Sequence, residues 1–185
     1  GAETSREQTP YLPITAEEIA EDAARCREAG VAMVHLHVRT ADGKASQDAE
    51  LFRAAIRAIR ARCDVLIQTS TGGAVGMTAD ERCGPLTLTG ADRPDMATLT
   101  TGTVNFGDDV FSNPRPLVRE IARRIRALGI RPEIECFDTG MIEQAEWLAK
   151  DGLVDLPAHY DFVLGVPGSL GASERALDFM IGSLP

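Results

Sequence analysis

With 185 residues, 44% hydrophobic and 25% charged, the chain can bury one sizeable core and reads as an ordinary globular domain. A net charge of −9 at pH 7 excludes the basic footprint that nucleic-acid binding needs, and no apolar run approaches the roughly 18 residues of a membrane span. No signal-like apolar segment opens the chain and the 4 cysteines form no C-x-x-C pair, so reduced thiols and a cytoplasmic location are expected. Helix and strand alternate from there. Thr15-Ala16-Glu17-Glu18 is a capping box, followed by Ile19, Ala23 and Cys26 at helical spacing and a stop at Gly30. Residues 31–39 read as a buried strand and 40–47 as a polar loop. A helix over 48–62 carries the stripe Leu51, Ala55, Ile56, Ile59. Residues 65–70 form a second strand running into Thr71-Gly72-Gly73, 87–93 a surface connection, and 96–99 a third strand after Pro94. A loop at 105–109 precedes a helix over 114–128 with the packing stripe Leu117, Ile121, Ile125, closed by Gly129. The rest is a fourth strand at 133–137, a helix at 141–150 with Trp147 in its packing, a fifth strand at 160–164, and a helix capped by Ser173.

Alternating units with near-continuous apolar strands imply a parallel sheet covered by helices. No G-x-G-x-x-G follows any strand, which weakens a nucleotide-binding open sheet. Polar residues instead gather at several strand ends: His35 and His37, Ser70, Thr98 and Thr100, Glu135. That distribution is what a barrel mouth supplies. The expected fold is an α/β, (β/α)8 TIM barrel, with residues 1–185 a single, partial barrel domain. Five strands are read where a barrel has eight in about 250 residues, so the stretch lacks the first strand and the last units.

His35 and His37 lie one residue apart on a strand, so both imidazoles share a face and can reach one divalent metal. A hydrogen-bonded pair of core histidines would give the same pattern. His159, just before the fifth strand, falls at the opposite face and reads as structural. Ser70-Thr71-Gly72-Gly73 lets backbone N–H groups approach an anion, or is an ordinary turn. Glu135 is a carboxylate within an apolar strand, costly unless functional or paired, for instance with an arginine. Glu133 sits at that strand's wet start, Asp138 can cap the next turn, and Asn105 is a site residue or a turn former.

The runs His35-Leu36-His37-Val38-Arg39, Gly43-Lys44-Ala45-Ser46-Gln47-Asp48, Gln68-Thr69-Ser70-Thr71-Gly72-Gly73, Met96-Ala97-Thr98-Leu99, Asn105-Phe106-Gly107 and Phe162-Val163-Leu164-Gly165-Val166-Pro167-Gly168 occur in this order. Together they resemble the β-keto acid cleavage enzymes, the family that includes 3-keto-5-aminohexanoate cleavage enzymes of lysine degradation. The resemblance covers essentially the whole chain. It implies a zinc barrel that condenses a 3-keto acid with acetyl-CoA to give acetoacetate and a new acyl-CoA, in a homo-oligomer. It implies Zn2+ on His35 and His37, with Ser70, Gly73 and Thr98 holding the keto acid. Glu3 and Glu135 match two carboxylates that face the ammonium of an amino-substituted substrate such as 3-keto-5-aminohexanoate. The family's third metal ligand, a glutamate in a Gly-x-Glu-Asp run, its catalytic aspartate and an upstream arginine have no counterpart among these residues. Thr100-Thr101 stands where an Asn-containing pair is common. A metal-dependent amidohydrolase-type barrel also carries H-x-H at a strand end, but it draws further histidines and a lysine from later strands, which here offer Ser70, Thr98 and Glu135.

Overall fold

The computed structural model describes residues 2, 4–73 and 76–185. It divides into two compact units, Gly1–Ala97 and Thr98–Pro185.

The first unit begins its regular structure at helix α1 (Ala16–Glu28). The Thr15 hydroxyl accepts the Glu18 N–H, and the Glu18 carboxylate accepts the N–H groups of Ile14 (2.7 Å) and Thr15 (3.0 Å). These two donors, with Arg6 at 2.7 Å, hold the Glu18 carboxyl down to about 2 from an ordinary 4.5. A depressed carboxyl contributes stability above its unfolded pKa and loses it as pH falls toward the folded one. Glu18→Gln is therefore expected to melt below the wild type at pH 7, and the gap should close between pH 4.5 and 2. Thermal unfolding across that range reads it, and a gap of constant size would refute the assignment.

Strand β1 (Met33–Leu36) ends one residue before His37, and β2 (Val38–Arg39) turns back on β3 (Ala45–Ser46) as an antiparallel ribbon. The expected continuous strand over 31–39 is broken at His37, where the chain leaves the β1–β4 ladder and goes on to pair with β3 across the Asp42-Gly43 turn. Gly43 takes φ +85° and Thr40 N–H reaches Lys44 O at 2.9 Å. The strand is also less buried than expected, with His35 exposed and Met33 and Val34 half-buried. Helix α2 (Ala49–Arg60) starts at Asp48, whose side chain accepts the Glu50 N–H at 2.7 Å. It buries Phe52, Ala55, Ile56 and Ile59 against Ala20 and Ala23 of α1 and against Leu36 and Val38. Strand β4 (Leu66–Thr69) pairs parallel with β1, His35 opposite Gln68. A short helix α3 (Ala79–Arg82) follows. The first residues of β5 (Met96–Thr100) then pair parallel with β4, giving the order β1-β4-β5. The 87–93 connection is more than surface: Leu88 is 1% exposed in the core, and Asp92 accepts Arg53 Nη1 at 2.8 Å and Arg57 Nε at 2.7 Å.

The second unit takes up the last residues of β5. The expected loop at 105–109 is a hairpin of β6 (Val104–Phe106) and β7 (Asp109–Phe111), turned at Gly107-Asp108 with Gly107 at φ +67°. Helix α4 (Arg115–Ala127) leads to β8 (Arg131–Cys136), and α5 (Thr139–Lys150) is capped by Asp138, which accepts the Met141 N–H. Strand β9 (His159–Phe162) pairs parallel with β8, and α6 (Glu174–Gly182) is capped by Ser173. The order is β5-β8-β9, and Val118, Ile121, Ile125, Ile134, Ile142, Leu148 and Met180 are buried. Trp147 departs from its expected packing role: it is 53% exposed, with the Arg115 guanidinium 4.9 Å from its ring. Parallel strands joined by helices are thus the observed plan in each unit. No helix among the described residues is long and apolar enough to cross a membrane.

Candidate metal and substrate site

In the first unit, paired positions of parallel strands put their side chains on one face, so the β1–β4 register brings Gln68 beside His35. His35 Nδ1 lies 2.6 Å from Gln68 Oε1, and His35 Nε2 lies 2.9 Å from His37 Nε2. The ring centroids are 4.8 Å apart at 60°. The two imidazoles share a face, as expected. They do hydrogen-bond, but His35 is exposed, so this is no core pair.

Burial, then the neighbouring His35 and Arg39, push His37 down to about 3, so this ring is neutral near pH 7, the form a metal ligand needs. Two nitrogens bound about 2.0–2.1 Å from one tetrahedral ion stand about 3.3 Å apart. The observed gap is a few tenths of an ångström short of that, within reach of a small ring rotation. Two imidazoles suit zinc and other borderline divalent ions. The donor set therefore fits a metal.

Beyond β4, Ser70 N–H reaches Leu36 O at 3.3 Å, and Ser70 Oγ accepts the Gly72 N–H at 3.0 Å. The hydroxyl keeps its own proton to donate. Two buried side chains hold this loop from behind. Gln47 Nε2 donates to the carbonyls of Ser70 (3.1 Å) and Arg82 (3.2 Å), and Arg82 Nε donates to the Thr71 carbonyl (2.7 Å). Gly73 sits at φ +66°, where a Cβ would meet Met77 Sδ at 2.8 Å and Arg82 Cγ at 3.1 Å. Left-handed backbone alone costs an L-residue roughly 1–2 kcal/mol. Gly73→Ala is expected to lower unfolding free energy by at least about 1 kcal/mol, read by urea titration. An unchanged midpoint would show that the loop relaxes freely. Sequence reasoning found Gly73 but not Gln47 or Arg82, whose role depends on burial behind the loop; Gln47 was visible only as part of a motif.

In the second unit, Thr98 is fully buried on β5. Glu135 is half-buried on β8 and accepts the Thr100 hydroxyl at 2.6 Å. Glu133 is not at a wet strand start. It is buried, with its carboxylate 2.9 Å from His159 Nε2, because the β8–β9 register sets these two residues opposite one another. His159 lies within β9 rather than just before it, with its ring facing the Glu133 carboxylate. Asn105 lies on β6, and a Cβ at Gly168 (φ +90°) would stand 2.7 Å from the Asn105 Cβ. Gly107 N–H reaches Pro167 O at 3.0 Å, so the Val166-Pro167-Gly168 run closes on this hairpin. Glu3 lies outside the described residues.

The family model for beta-keto acid cleavage enzymes matches residues 1–185. The chain belongs to the beta-keto acid cleavage enzyme family. The amidohydrolase-type alternative has no support. Two relatives named 3-keto-5-aminohexanoate cleavage enzyme, from Fusobacterium nucleatum subsp. nucleatum and Acetoanaerobium sticklandii, are 48% and 44% identical over 187 residues and match 100% of this chain. A 3-oxoadipate:acetyl-CoA acetyltransferase from Cupriavidus necator is 38% identical over 185 residues. The chain spans 66%, 67% and 63% of the lengths of these three relatives. The structure of ObcA in a binary complex with oxaloacetate superposes with a TM-score of 0.77 over 95% of this chain and 48% of that one, at 22% identity, which shows a shared fold.

Proposed function

We propose that this member of the family acts as a zinc-dependent enzyme on an amino-substituted 3-keto acid such as 3-keto-5-aminohexanoate, using acetyl-CoA and giving acetoacetate and an acyl-CoA. A single (β/α)8 barrel domain that includes residues 1–185, in a cytoplasmic homo-oligomer, belongs to the same reading. The observation that carries it is the His35–His37 pair, with both Nε2 atoms turned toward each other on one face. A divalent ion held there supplies Lewis-acid polarisation of the substrate's keto and carboxylate oxygens.

The chain's own residues bind and orient. Ser70, with a hydroxyl proton to donate, Gly73 at the loop's left-handed turn and Thr98 hold the keto acid. Glu3 and Glu135 face the cationic substituent. The Thr100 hydroxyl fixes the Glu135 carboxylate, which as an anion still has acceptor capacity for an ammonium. Identity to two relatives named for an amino-keto acid supports this charge assignment.

The test is turnover by the intact protein of a panel of 3-keto acids with acetyl-CoA, read as acetoacetate, with and without a chelator. Chelator-sensitive acetoacetate from an amino-substituted acid is the expected result. No acetoacetate from any acid, by a protein shown to hold zinc, overturns the reaction. Glu135→Gln is expected to lower kcat/KM for the amino-substituted acid about tenfold or more relative to a neutral one, since a hydrogen bond to a charged group is worth about 1.5–3 kcal/mol. An unchanged ratio removes Glu135 from substrate selection.

A further inference from the structure

Gln68 belongs to neither the metal pair nor the substrate set. It is 1% exposed, on β4, on the face that carries His35. Its Oε1 is 2.6 Å from His35 Nδ1, a short contact for two neutral groups. Its other amide atom, Nε2, is buried with no hydrogen-bond partner among the described residues. A buried amide donor without an acceptor costs about 1–3 kcal/mol, so a glutamine at this place calls for a reason.

Neutral imidazole carries one proton, on Nδ1 or on Nε2, and the nitrogen without it is the one that can bind a metal. A carbonyl oxygen at Nδ1 can only accept. It requires the proton on Nδ1 and leaves the Nε2 lone pair directed at His37. The reversed amide would put an N–H against Nδ1, force the proton onto Nε2, and disable the atom that faces the pair. Leucine or methionine would fill the same space with no orphaned donor, but would leave the tautomer unset.

We infer that Gln68 is a positioning residue that fixes His35 as the Nδ1–H tautomer, so that its Nε2 is presented as a metal ligand before any metal arrives. Partners of this kind on a ligand's second nitrogen typically change metal affinity by about 10–100-fold. The inference rests on reading His35 and His37 as a metal pair.

A second consequence concerns His37. With the His35 Nε2 proton absent, the 2.9 Å contact is held by a proton on His37 Nε2. To offer Nε2 to a metal, His37 would have to lose that proton to solvent and take one up on Nδ1, whereas His35 would keep its proton where it is. The two histidines are therefore unequal: one is ready, one switches.

Long-range 1H–15N correlation spectra of the imidazoles in the metal-free, intact protein distinguish these states. His35 is expected as Nδ1–H and His37 as Nε2–H; zinc should move the Nε2 resonance of both rings but change the tautomer of His37 alone. In Gln68→Leu the His35 signals should shift to a mixture of tautomers, and zinc affinity, read by competition with a chromophoric chelator, should fall about 10–100-fold. Gln68→Glu, which restores an acceptor at the same reach, should return the Nδ1–H pattern. His35 found as Nε2–H in the metal-free wild type overturns the inference, whether or not either variant folds. So does Gln68→Leu holding zinc within about twofold of the wild type. Both readouts are independent of keto acid turnover. A protein that passes them and makes no acetoacetate refutes the proposed reaction and leaves the role of Gln68 standing.

Discussion

His35→Ala is expected to lower turnover of the keto acid by about a thousandfold and to empty the metal site at micromolar zinc. Polarisation by a bound ion is worth several kcal/mol, and about 4 kcal/mol corresponds to a thousandfold in rate. His37→Ala should fall to a similar level, and the double variant scarcely further, because residues that act through one ion lose one effect between them. Metal content by elemental analysis and kcat/KM on the same preparations read this together. The two rings are side by side at 4.8 Å with their nitrogens in contact, so a purely structural pair would respond differently. Removing one ring would lower stability while a folded fraction kept its full metal content. A variant with stoichiometric zinc and turnover within tenfold of the wild type would sink the assignment of ligands.

Phe52→Ala is expected to have the largest effect on stability, a loss of about 3–5 kcal/mol. Phe52 is 0% exposed on α2, in one cluster with Ile56 and Ile59, with Ala20 and Ala23 of α1, and with Leu36 and Val38. Truncation removes most of an aromatic side chain from a site walled by small and branched residues, which collapse poorly onto a void. Against a typical total of about 5–15 kcal/mol, such a loss leaves a marginal fold. Trp147→Ala is the control. Trp147 is 53% exposed, so its removal should cost well under half as much, chiefly the contact with Arg115. Urea unfolding of both variants decides it, and equal losses would mean that burial does not rank these sites. Leu36 and Val38, which flank His37, line the same cluster, so loss of Phe52 should also weaken zinc retention.

Features that depend on neighbours in the chain were legible in the sequence. The caps at Thr15, Asp138 and Ser173 fall where a short polar side chain precedes an amphipathic run, because a cap needs only residues two or three positions away. The shared face of His35 and His37 follows from strand alternation alone. Features that depend on register were not. Glu133 reads as a solvated strand start until β9 places His159 opposite it, and Gln68 has no visible purpose until β1 and β4 align. The burial of Gln47 and Arg82 behind the Ser70 loop is a three-dimensional fact of the same kind. Two turns read as loops, and only the short strands that flank them are missed, for another reason. Asp42-Gly43 and Gly107-Asp108 are hairpin signals, but the strands beside them are only two or three residues long, too short for alternation to show.

The break after Leu36 gives the histidine pair one fixed jaw and one adjustable jaw. His35 is bolted into the β1–β4 ladder and braced by Gln68, whereas His37 stands in the gap between β1 and β2, outside both ladders. Widening the nitrogen gap toward the spacing of a bound ion can therefore be taken up at a single backbone joint, without unpairing a strand. Such a caliper would accept ions whose bonds differ by a tenth of an ångström or so. It would leave the choice among zinc, cobalt and nickel to ligand chemistry and supply rather than to the width of the jaws.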